Sequence, residues 1–145
     1  MKRHEALAPL SRDHHEALIL SQLLKKDAPF YKGLPISVEG KVNYATDFFE
    51  NNLKEHFEKE EKVFTLVKSL HPIEIGRLVS ELTDEHHELA KLFSEIGAKE
   101  NPIETMNRLG ELLSSHIRKE ERNLFPLLQE HCTEEILEKI SQLTI

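Results

Sequence analysis

Two stretches of this chain repeat each other: HFEKEEKVF at 56–64 and HIRKEERNLF at 116–125. Each carries a histidine, three residues, a Glu-Glu pair, a basic residue and then a phenylalanine. Two earlier stretches repeat as well. RDHHEAL at 12–18 and DEHHELA at 84–90 each hold an acid, two histidines, a glutamate and apolar residues. His14 and His56 are 42 positions apart, His86 and His116 30. The difference is about the length of the Pro/Gly-containing segment APFYKGLPISVEG at 28–40, which reads as a loop. A chain so ordered is two helical hairpins, each with a histidine on its first helix and His-x-x-x-Glu on its second.

Apolar periodicity places the helices. The first is predicted from about Ser11, a plausible N-cap, to Asp27. The second runs from about Val38 to Ser69, on a stripe of Val42, Phe49, Leu53, Val63 and Val67 interrupted by His56 and Glu60. Pro72 opens the third, in a position that suits a first turn. It runs to about Ala98 on Ile75, Leu78, Val79, Leu82, Leu89, Phe93 and Ile96, with His86 on the same stripe. Asn101 and Pro102 start the fourth, which ends near His131 and buries Met106, Leu109, Leu113, Leu124 and Leu127 beside His116 and Glu120. Thr133 caps a short fifth helix. The last two interhelix loops are short, so neighbours run antiparallel. The expected fold is all-α: one domain over 1–145, an up-down antiparallel four-helix bundle with a short C-terminal fifth helix.

Composition narrows the function. Net charge is −7, from 19 basic and 26 acidic residues, which argues against nucleic acid or an anionic membrane surface as partner. The longest apolar run, Ala17–Leu20, is far too short to span a bilayer, and the N-terminal stretch has no signal-peptide core. A single cysteine, Cys132, fits a reducing cytoplasm. The anomaly is nine histidines in 145 residues.

On a helix, residues i and i+4 share a face. Helix two therefore directs His56 and Glu60 inward, and helix four directs His116 and Glu120. His86 is the third-helix member, on the face of Leu82, Leu89 and Phe93. His14 lies with Leu10, Ala17 and Leu24; His15, which faces Leu18 and Ile19, stays open as the alternative. Four imidazoles and two carboxylates then meet in the core. Carboxylates can bridge two cations, and imidazole suits iron, copper or zinc. Mixed nitrogen and oxygen ligation shared by two carboxylates favours two iron ions, with manganese and zinc as lesser fits. Without a cation, burying these groups together is unfavourable. Glu61 and Glu121 read as solvated neighbours of Lys62 and Arg122. His4, His71 and His131 read as surface residues, and Phe49, Phe57, Phe64 and Phe125 as core packing.

The paired histidines of helices one and three, the two His-x-x-x-Glu-Glu stretches and the Leu-Phe-Pro after the second resemble the hemerythrin-like family, also called the HHE cation-binding domain, over nearly the whole chain. The resemblance implies a four-helix bundle with a non-haem di-iron centre. It implies His14, His56, Glu60, His86, His116 and Glu120 as metal ligands, Glu60 and Glu120 bridging. Oxygen carriers of that family have a further histidine four residues beyond the third-helix ligand, where this chain has Ala90. They also have an aspartate five residues after the last histidine, where this chain has Glu120 at four. At most four obvious histidine ligands remain, with His15, His87, Glu61 or water to complete the set. That speaks against simple reversible oxygen carriage. The functions implied are binding or sensing of dioxygen, nitric oxide or peroxide, or iron handling. The alternative is an enzyme that reduces peroxide or nitric oxide or supports iron–sulfur cluster repair. No protein partner is indicated.

Overall fold

A computed structural model of the chain describes residues 2–145, and every regular element among them is helical. Helix α1 spans Ala8–Leu23. Helix α2 (Val38–Phe48), a π turn (Phe49–Leu53) and α3 (Lys54–Val67) follow one another without a break, as do α5 (Ile103–Lys119), a second π turn (Glu120–Leu124) and α6 (Phe125–His131). Helix α4 spans Ile73–Ala98, and α7 (Glu134–Leu143) packs on α3. The four rods alternate in direction. Arg3 meets Gln129, His14 meets Glu121 and Lys26 meets Asn107, so α1 runs antiparallel to α5–α6. Arg108 meets Glu88 and Lys119 meets Glu81, so α4 and α5 do the same.

The predicted helices are present, with shifted ends. Helix α1 begins three residues before Ser11, with Pro9 in its first turn, where a missing N–H costs nothing. Ser11 is therefore not a cap. Its hydroxyl donates to Glu121 Oε2 at 2.7 Å. Ser37 and Thr133 cap α2 and α7, accepting from Gly40 N and Ile136 N. Pro72 and Pro102 lie just before α4 and α5 rather than inside their first turns.

The two π turns are the larger departure. In each, a backbone N–H reaches back five residues: Lys54 to Phe49 O and Phe125 to Glu120 O. An extra residue per turn resets the rotational phase of the apolar stripe. Ala45 rather than Val42 is therefore the buried position of α2, and Leu128 is fully buried while Leu127 is only half-buried. The second turn also explains a length difference between the repeats. His56 to Phe64 is eight residues, and His116 to Phe125 is nine. The wide turn absorbs the additional residue and returns Phe125 to the place equivalent to Phe64. Phe64 then stacks near His86 and Phe125 near His14, with ring centroids 5.7 and 5.9 Å apart.

Two apolar clusters fill the bundle. One gathers Leu7, Leu10, Val63, Phe64, Leu82, Leu124, Phe125 and Leu128 with Leu137 and Ile140 of α7. The other gathers Ala17, Leu20, Phe57, Leu89, Phe93, Leu109, Leu113 and Ile117. On α1, His14 falls between Leu10 and Ala17, and on α4, His86 falls between Leu82 and Leu89, so a polar layer separates the two clusters. Each fully buried Leu or Phe contributes about 1.5–3 kcal/mol, and burial on both sides fixes the helices that carry this layer. Helix α1 approaches α5 closely at Gly110. A Cβ there would lie 2.6 Å from Ser21 O, so only glycine permits this separation.

Candidate metal centre

All six predicted donors meet in this layer, and each is 0–3% exposed. Glu60 lies at the middle. Its Oε2 is 3.5 Å from His14 Nε2 and 3.2 Å from His56 Nε2. Its Oε1 is 3.0 Å from His86 Nε2 and 4.0 Å from His116 Nε2. Glu120 Oε1 is 3.2 Å from His14 Nε2 and 3.4 Å from His116 Nε2. The donors fall into two overlapping groups. His14, His56, Glu60 and Glu120 form one; His86, His116, Glu60 and Glu120 form the other. Within each, one ligand atom per residue lies within 4.8 Å of all the rest. Both carboxylates belong to both groups. His15 and His87 point outward and are exposed, so the first member of each doublet is the inward one.

Apart from the hydrogen bond between His86 Nε2 and Glu60 Oε1, these atoms come together without satisfying one another. His14, His56 and His116 Nε2, Glu60 Oε2 and both Glu120 oxygens are buried and make no hydrogen bond. Such groups cost about 1–3 kcal/mol each when left unpaired, more if charged, and native cores rarely tolerate several together. Divalent cations held among these nitrogens and carboxylate oxygens would satisfy all six. The donor set suits iron, manganese or zinc.

A second layer of carboxylates fixes the rings. His14 Nδ1 pairs with Glu121 Oε2 at 2.7 Å, and His56 Nδ1 with Asp13 Oδ2 at 2.9 Å. His86 Nδ1 pairs with Glu61 Oε2 at 3.3 Å, and His116 Nδ1 with Glu85 Oε1 at 2.8 Å. Each imidazole sets its outer Nδ1 against a carboxylate and turns Nε2 inward, the arrangement that orients metal-binding histidines. The pattern is doubled. The acid before each doublet, Asp13 or Glu85, holds the second-helix histidine of its own hairpin. The second glutamate of each pair, Glu61 or Glu121, holds the first-helix histidine of the other hairpin. Glu61 and Glu121 are therefore not merely solvated neighbours of Lys62 and Arg122. Sequence reasoning passed over Asp13 and Glu85 altogether, although the repeat carries an acid in the same place twice. His4, expected at the surface, is half-buried: its Nδ1 accepts from Ala6 N and its backbone N–H donates to Gln129 Oε1. Phe57 does more than pack, stacking on His86 with centroids 4.1 Å apart.

Charge follows the geometry. Burial alone would depress His14, His56 and His116, but the surrounding carboxylates outweigh it. His56 rises to about 9, chiefly through Glu60, and His116 to about 10, chiefly through Glu120. His14 is raised well above its ordinary value by Glu120, Glu121 and Glu60 against the same burial. The two central carboxylates part. Burial would raise Glu60, but His56 and its neighbours hold it well below the usual range. Glu120 is raised by burial and by the charge on Glu60. A cation entering the layer would therefore displace protons, and its affinity would weaken as pH is lowered.

A model of the hemerythrin HHE cation-binding domain matches residues 5–128, a span that holds both histidine doublets and both His-x-x-x-Glu-Glu stretches. No curated protein and no solved structure gives a significant match. The match extends over most of the chain and agrees with a helical bundle built around a buried histidine–glutamate layer. On that evidence the chain belongs to the hemerythrin HHE cation-binding family.

Proposed function

We propose that the chain holds two iron ions through His14, His56, Glu60, His86, His116 and Glu120, with both glutamates shared, and that it binds or senses dioxygen, nitric oxide or peroxide there. The observation that carries this reading is the set of six buried, unpartnered donor atoms between two apolar clusters. Bound iron would supply redox chemistry and open coordination for a small ligand. The protein's own share is to orient four imidazoles by their outer carboxylates and to keep the layer dry. Donors 0–3% exposed are out of reach of a large substrate unless the helices part, which favours a diatomic or peroxide ligand. No described helix is long and apolar enough to cross a membrane, and the lone, half-buried Cys132 agrees with a cytoplasmic setting.

A second reading, reductive turnover of peroxide or nitric oxide, draws on Asp13. Its side chain is 52% exposed and bonds to His56 Nδ1, linking solvent to a buried imidazole along a path a proton can take. Anaerobic protein loaded with ferrous ion and mixed with substoichiometric, then excess, peroxide or nitric oxide separates the two. Stoichiometric binding with no further consumption supports the sensor; sustained consumption in the presence of a reductant supports the enzyme. A loaded protein inert to peroxide, nitric oxide and also dioxygen would leave metal only a structural or storage role.

A further inference from the structure

Arg3 precedes α1 and is not a candidate donor, yet it touches both groups that fix the His14 ring. Its Nη2 donates to Glu121 Oε1 at 3.0 Å and to Glu121 backbone O at 2.9 Å. Glu121 Oε2 is the carboxylate oxygen that meets His14 Nδ1. The Arg3 guanidinium also lies over the Phe125 ring, 5.3 Å from its centroid, and Phe125 stacks on His14 at an interplanar angle of 7°. Its Nη1 donates to Gln129 Oε1 at 3.2 Å, the same oxygen that accepts from His4 N. Only a planar, five-donor fork makes these contacts together; a lysine offers a point charge. On the opposite side of the centre, Glu85 is met by Lys119, which belongs to a bundle helix. The His14 side is thus braced from a segment outside the bundle rods.

We infer that Arg3 is a positioning residue for the cation position formed by His14 and His56, and that docking of segment 2–7 and loading of that position strengthen each other. The inference rests on the two-cation reading above. The link runs from Arg3 through Glu121 and Phe125 to one imidazole, and coupling between two binding events is reciprocal. A cation at this position then holds the segment down. The amides that report it are Leu7 and Ala8, which donate to His4 O, and Ala6, which donates to His4 Nδ1.

The test is anaerobic titration with ferrous ion of Arg3→Ala in two backgrounds. His86→Ala keeps the His14–His56 position, and His56→Ala keeps the other. The expected result is affinity roughly tenfold weaker in the first background and within about twofold in the second, in line with the loss that outer partners of metal-binding histidines cause. Arg3→Lys recovers part of the loss and serves as the test should Arg3→Ala fail to fold. Hydrogen exchange gives the reciprocal reading: ferrous ion slows exchange at residues 6–8 of the unvaried chain and not of Arg3→Ala. Equal loss in both backgrounds, no loss in either, or protection that survives Arg3→Ala overturns the inference. If the unvaried chain itself takes up fewer than two ferrous ions, it is the proposed function that fails. If it takes up two and Arg3→Ala disturbs neither, the fault lies with the inference alone.

Discussion

Seen from within, the two proposed cation positions are alike: two imidazoles each, with the same two carboxylates between them. Seen from outside the four rings are unequal, and each position has one heavily braced ring and one lightly braced ring. His14 is held by Glu121, which Ser11 and Arg3 hold in turn. His116 is held by Glu85, 18% exposed and tied to Lys119. The partner of His56 is Asp13, 52% exposed, and that of His86 is Glu61, 43% exposed at a longer 3.3 Å. The inner likeness comes from a repeated ligand pattern. The outer contrast comes from where each acid falls on the surface of the bundle, and it gives each position one firm and one yielding ligand.

The largest test of the inner likeness concerns the shared carboxylates. Glu60 faces all four histidines and balances the charge on His14, His56 and His116, so Glu60→Ala removes both cations. By leaving buried imidazolium unpaired, it costs about 3–5 kcal/mol of stability. Glu120→Ala also removes bridging and lowers metal content, with a smaller stability loss, because Glu120 carries less of the charge. Metal analysis and urea unfolding check both. Two irons per chain in either variant would contradict the shared role, and equal stability losses would contradict the division of charge.

The outer contrast is sharpened by Glu85→Gln against Asp13→Asn. Both weaken cation binding within the roughly 10–100-fold range of such partners, Glu85→Gln near the upper end and Asp13→Asn near the lower. Isothermal titration decides it, and a reversed order would contradict the exposure argument.

Acidity gives a third test, made in the presence of a chelator. His56 and His116 have folded values of about 9 and about 10 against an ordinary 6.5. A group whose folded value is raised contributes stability that is full below its unfolded value and is lost as pH rises through the folded one. The chelated chain should therefore lose stability between about pH 7 and 10, while saturating ferrous ion under anaerobic conditions removes that slope. A flat or rising midpoint in chelator across the window would contradict the charged layer. The smallest effect belongs to His15→Ala and His87→Ala. Both side chains are exposed, so metal content stays unchanged and stability moves by less than about 0.5 kcal/mol.

The four rods, the fifth helix and the six inward donors were legible in the chain because each rests on periodicity or spacing, and burial on both sides of His14 and His86 then enforces it. What periodicity hid was whatever breaks it. A π turn leaves no residue signature of its own, and only the one-residue difference between His56–Phe64 and His116–Phe125 betrays the second. Asp13, Glu61, Glu85 and Glu121 are ordinary surface acids on a helical wheel. Their role appears only when neighbouring rods bring a histidine edge against them. Gly110 and Arg3 act through close approach between elements distant in sequence, which no local pattern reports.

The central claim is that two iron ions share these six side chains. Elemental analysis of anaerobically purified chain, followed by an optical spectrum as air is admitted, addresses it most directly. The account predicts two irons per chain and a new absorption band in air. One zinc, or no metal in a chain that remains folded, would contradict it and reduce both His-x-x-x-Glu pairs to ordinary helix neighbours.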